Sequence, residues 1–111
     1  MILDDIHFMN DEANLLPESF GTLNDVLAFL LKKPEVVVEI SGHTSSLGGL
    51  EHNMRLSELR AEAVKKFLTV NGIDEMRIKT AGFGPKFLIA SDDTEEGQLQ
   101  NRRVEFKVLE M

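Results

Sequence analysis

Asn53 and Arg60 stand seven positions apart in a segment whose main regularity is apolar. An α-helix turns about 100° per residue, so a seven-residue step returns to within about 20° of one direction after roughly 10 Å of rise. On that wheel Arg60 falls among Leu56, Ala63, Val64 and Phe67. A guanidinium in such an arc cannot shed its charge and needs an anion or several acceptors. Its planar fork suits the two oxygens of a carboxylate. Two kinds of partner meet that need. One is an internal acid (Asp4, Asp11 or Glu105), which would simply pin the helix; the other is a carboxylate from outside.

The residues before this helix bear on the choice. Gly42-His43-Thr44-Ser45-Ser46-Leu47-Gly48-Gly49 is a run of mostly small residues leading into the helix N-terminus. Backbone N–H groups and the helix dipole favour an anionic ligand at such a junction. A merely flexible connection is the competing reading.

Other chemistry finds less support. His7, His43 and His52 lack metal-ligand spacing, and no cysteine is present, so no metal site, disulfide or cofactor is expected. Ser45 and Ser46 lack the glycine two residues earlier that a nucleophile elbow requires. No nucleophile–base pair or acid/base carboxylate pair can be assembled, so no catalytic residue and no enzyme is expected. Gly82-Phe83-Gly84-Pro85 reads as a sharp turn, and Arg102-Arg103 as surface or ion-paired residues.

The elements that must position these groups follow from periodicity. Ile6 and Phe8 flanking His7 predict a short first strand. Pro17 opens a helix carrying Phe20, Leu23, Leu27, Leu30 and Leu31 on one stripe, and Pro34 ends it. Val36, Val38 and Ile40 alternate as a second strand. A long helix is predicted from about residue 51 to 70 with Leu56, Leu59, Ala63 and Phe67 on one face, stopped by Asn71-Gly72. Arg77 to Ala81 gives a third strand, Glu95 to Gln100 a short helix, and Val104, Phe106 and Val108 a fourth strand. The order βαβαβ(α)β predicts an α/β (α+β) two-layer sandwich, with two long helices packed on one mixed four-stranded sheet. At 111 residues the chain has room for one domain, residues 1–111, and one modest core.

Charge narrows the partners. A net charge of -7 repels polyanions, so neither nucleic acid nor an anionic membrane surface is an expected partner. The longest apolar run, Val26 to Leu31, is too short to cross a bilayer, so no membrane insertion is expected of this domain itself. Asp4-Asp5 occupies the place of a basic n-region, so an export signal or anchor is expected to lie outside the sequence.

Nearly the full length resembles an OmpA-like (OmpA/MotB C-terminal) domain. The matching pieces are Ile6-His7-Phe8 with Asp11 and Ala13, Pro17-Glu18-Ser19, Ile40-Ser41-Gly42-His43-Thr44, Asn53 with Leu56-Ser57 and Arg60-Ala61, and Gly72-Ile73. Arg77-Ile78, Gly82-Phe83-Gly84, Thr94-Glu95-Glu96-Gly97 and Asn101-Arg102-Arg103-Val104-Glu105 complete the series. The resemblance implies two helices on a mixed four-stranded sheet. It also implies non-covalent binding of peptidoglycan through the diamino acid of its stem peptide, typically diaminopimelate, which would anchor a periplasmic, outer-membrane or other envelope protein to the cell wall. Envelope proteins or a second copy of the chain remain open as further partners.

Carried over by position, Arg60 would bind the ligand carboxylate, Asn53 and Thr44 would hydrogen-bond it, Asp11 would line the cleft, and Leu50 would pack on the ligand stem. One position departs. The family pattern Gly-His-Thr-Asp is here Gly42-His43-Thr44-Ser45, so the carboxylate expected to meet the ligand's ammonium is absent. A hydrogen bond to a charged group is worth about 1.5–3 kcal/mol. Its loss implies affinity weaker by roughly ten- to a hundredfold. Ser45 keeps one neutral acceptor, with Asp11 as a partial substitute. The alternative is an OmpA-like structural or interaction domain whose ligand binding is weakened or lost. A second departure is Gln98, where the family carries a basic residue. Asn101-Arg102-Arg103 is intact and is expected to stabilise the last strand and its approach to the cleft.

Overall fold

The computed structural model describes residues 2–3 and 15–110. The strand predicted around Ile6–Phe8 lies outside the described residues. Among these, the chain forms an α+β fold: β1 (Ile2–Leu3), α1 (Phe20–Lys32), β2 (Val37–His43), α2 (Leu50–Val70), β3 (Ile78–Gly84), α3 (Glu95–Asn101) and β4 (Val104–Glu110). Short 3-10 turns at Pro17–Ser19 and Glu75–Arg77 precede α1 and β3. The sheet order is β1-β4-β2-β3, with β2 parallel to β3 and antiparallel to β4. Three strands have seven residues, whereas β1 has two and pairs with β4 through Ile2 and Leu3. The four-stranded sheet with two long helices is therefore met in part. One edge is only a two-residue pairing, and α1, at 13 residues, is much shorter than the 21-residue α2.

The core lies between sheet and helices. Val36, Val38 and Ile40 are fully buried in it, at the positions that alternation in the sequence selects. Val104, Phe106, Ile78, Leu23, Leu30, Val64 and Leu68 complete the same cluster. Helix α1 joins it partly through Phe29, whose ring meets Phe106 edge-on at 6.0 Å. Helix α2 ends in a Schellman arrangement: Ile73 N donates to Leu68 O at 3.1 Å and Gly72 N to Thr69 O at 3.1 Å, with Gly72 at φ 105°.

Two expectations need correction. The stripe of α2 that enters the interior is Asn53, Leu56, Ser57, Arg60, Ala61, Val64 and Leu68, whereas Leu59 is exposed. Gly42 and Gly82 let the helix at Ser57 and Glu58 come close to the sheet. Phe67 is partly buried against the core and also meets Phe20, with ring centroids 5.6 Å apart. The second correction concerns Gly82-Phe83-Gly84, which is the end of strand β3 rather than a turn. A Cβ on Gly82 would stand 2.5 Å from the Glu58 nitrogen, so this glycine is needed for helix contact. The chain turns one step later, where Lys86 N donates to Phe83 O at 3.1 Å.

Candidate functional site

Strand β2 delivers the loop 44–49 to the N-terminus of α2, and its neighbours hold the departure point. His43 N donates to Arg103 O on the approach to β4, and Thr44 N to Gly84 O of β3, both at 2.9 Å. The loop then folds around Asn53. This side chain donates from Nδ2 to Leu47 O at 2.8 Å and more weakly to Ser45 O at 3.4 Å, and its backbone N–H caps onto Gly49 O at 3.0 Å. Gly48 takes φ 90°, a conformation that only glycine adopts without strain. Asn53 is thus the post around which the loop is wound.

The structure brings Thr44, Ser45 and Asn53 together and leaves them 3%, 4% and 7% exposed. Thr44 Oγ1 is spent locally, donating to Ser45 O at 2.8 Å. Arg60, two turns further along α2, is 9% exposed among Leu56, Ala61 and Val64, and it takes part in an interaction within the chain. Leu50, in the first turn of α2, is 60% exposed and borders an open groove of about 450 Å³ with Glu51, Met54, Arg55, Glu58 and Lys86. Asp11, the remaining predicted residue, lies outside the described residues.

Two further polar features border the loop. The first is Asp92, whose Oδ2 accepts from Ser46 N at 2.7 Å and also from Ser46 Oγ. Its Oδ1 accepts from Asn101 Nδ2 at 2.7 Å. The Ser46 hydroxyl and backbone N–H hold the Asp92 carboxyl below the usual carboxylate range, with Asn101 and the charge of Arg102 acting in the same direction. Asn101 is fully buried; its Oδ1 accepts from Ile89 N (2.8 Å) and Ala90 N (3.1 Å), and its Nδ2 donates to Ala90 O (2.9 Å). The 89–92 segment is thereby fixed against the loop.

The second feature lies on the sheet face turned away from α2. His43 Nε2 is 3.1 Å from Ser41 Oγ and 3.9 Å from Glu105, and the imidazole lies near Phe83 and Phe87 with centroids 5.5 and 6.3 Å away. Its Nδ1 is buried without a hydrogen-bond partner. Burial and the neighbouring Arg103 lower its pKa to about 4, against a smaller opposing effect of Glu105. Arg103 itself is buried: Nε donates to Glu105 at 2.6 Å, Nη1 to Asn101 O at 3.2 Å, and Nη2 to Phe87 O at 2.8 Å. It ties β4 to the segment beside the loop. Among the described residues no group of three or more His, Asp or Glu side chains is arranged to hold a metal ion, and no helix is long and apolar enough to cross a membrane.

The chain is similar to known proteins over nearly its full length. The chain is 43% identical over 102 residues to "Probable lipoprotein YiaD" of Escherichia coli, an alignment covering 92% of this chain and 47% of that protein. It is 40% identical over 103 residues to "Peptidoglycan-binding protein ArfA" of Mycobacterium bovis, covering 93% of this chain and 32% of ArfA. It spans about half of the first and a third of the second. Among solved structures, the cell wall anchor of the type VI secretion system (T6SS) from Pseudomonas aeruginosa superposes with a TM-score of 0.83 at 26% identity, covering 100% of this chain and 79% of that one. The model of the OmpA family matches residues 7–102, and the chain belongs to that family.

Proposed function

We propose that this domain binds peptidoglycan non-covalently through the diamino acid of the stem peptide, and so anchors an envelope protein to the cell wall from the periplasm. Membership of the OmpA family, with relatives named for peptidoglycan binding and cell-wall anchoring, supports the general reading. The observation that carries the finer one is Arg60, a permanent charge held at 9% exposure in an apolar stretch of α2. It lies two turns from the Asn53 post that shapes the loop. In this reading Arg60 meets the ligand carboxylate, Asn53 and Thr44 fix the loop that borders it, and Asp11, Ser45 and Leu50 complete the surround. The domain acts by binding alone, without a catalytic step. Co-sedimentation with purified peptidoglycan tests this: the wild type pellets with the wall, and Arg60→Ala stays in the supernatant. Equal pelleting of the two, with the variant's fold confirmed by its melting curve, would remove Arg60 from the site.

Ser45 favours a second reading, in which the fold is kept as an interaction domain and the ligand is lost. The same sedimentation separates the two, because a domain without the ligand leaves wild type and Arg60→Ala alike in the supernatant.

A further inference from the structure

We propose that Asp92 supplies the negative charge that Ser45 cannot, and receives the free ammonium group of the bound diamino acid. This rests on the wall-binding reading above. Ser45 occupies the position where that reading needs a carboxylate, and its short side chain is 4% exposed and uncharged. The next residue, Ser46, is exposed, and both its backbone N–H and its hydroxyl are bonded to Asp92 Oδ2. The Asp92 carboxylate therefore stands one residue from the vacant charge, at the rim of the loop.

Asp92 is bonded at both carboxylate oxygens and is not deeply buried. Ser46 holds one oxygen and the fully buried Asn101 the other, at 2.7 Å, while the residue stays partly exposed. A carboxylate oriented by fixed donors meets a cation with little ordering cost, and each oxygen has a second lone pair for a charge-assisted bond. Beside it, Thr44 Oγ1 is committed to Ser45 O and Asn53 Nδ2 to Leu47 O, and residues 44–49 include no acidic side chain. An ammonium arriving at the rim thus finds its anion on the 89–92 segment, not on the loop itself.

The test compares two synthetic stem peptides in titrations of the whole domain. One ends in diaminopimelate; the other carries 2-aminopimelate there, which keeps the distal carboxylate and lacks only the distal ammonium. The wild type prefers the first by about tenfold or more. Asp92→Asn removes that preference, so that the two peptides bind this variant alike. Ser46→Ala removes the hydroxyl bond to Asp92 but keeps the charge, and it retains the preference. If Asp92→Asn discriminates as the wild type does, or if Ser46→Ala loses the preference to the same extent, Asp92 is a loop clamp and the proposal is overturned. A wild type that binds neither peptide overturns the underlying reading as well, a result distinct from either of these.

Discussion

The Ser57 carbonyl oxygen of α2 lies where a Cβ on Gly42 would stand, only 2.1 Å away. The helix and the end of β2 therefore touch backbone to backbone, and the loop that follows inherits its start from that contact. Ser57 reinforces it by accepting from Gly84 N at 3.0 Å through its hydroxyl.

Gly42→Ala should consequently destabilise the domain by about 3 kcal/mol or more, since the clash is with backbone that cannot rotate away. Gly21→Ala provides the contrast, because nothing lies within 4 Å of a Cβ there. As a helical position it should gain a few tenths to about 1 kcal/mol. Denaturant melts of both variants check the pair. A Gly42→Ala variant as stable as the wild type would mean that the helix sits further from the sheet than described.

Asn53→Ala removes the donor that holds Leu47 O and Ser45 O. A loss of about 1–2 kcal/mol in stability is expected, with faster amide hydrogen exchange confined to residues 44–49. Unchanged exchange in the loop would show that Asn53 is not its post.

The buried His43 makes stability depend on pH with a definite sign. Its folded pKa near 4 lies below the ordinary 6.5, so on acidification the unfolded chain takes up this proton first. The folded state is favoured fully above about pH 6.5 and loses that contribution as the pH falls toward 4, by about 3 kcal/mol in all. NMR titration of the imidazole, with melts across the same range, checks both statements. A midpoint near 6.5 in the folded domain would contradict the buried, neutral ring.

Much of this was legible before any coordinates. The alternation at Val36, Val38 and Ile40 gave the central strand, and Asn71-Gly72 gave the stop of α2, because both are local signals of backbone geometry. The rotation of α2 was harder. Leu59 is strongly apolar yet exposed, because the face that meets the sheet is set where the helix at Ser57 and Glu58 approaches Gly42 and Gly82, a match between distant segments. Gly82 and Gly84 made the end of β3 resemble a turn. Arg60, Asn53 and Thr44 stood out as candidates from spacing and motif, while Asp92 did not, since its partner Ser46 is 46 positions away and no periodicity links them. Asp11 lies outside the described residues.

If, as proposed, Arg60 binds the ligand carboxylate, a single titration reveals it. A stem peptide ending in diaminopimelate is added to the isotope-labelled wild type and to Arg60→Ala, with amide spectra recorded at each step. The account requires saturable shifts in residues 42–53 and around Arg60 of the wild type, and affinity lower by at least about tenfold in the variant. Wild-type spectra that stay unchanged at saturating peptide, or equal affinity in the folded variant, would contradict it.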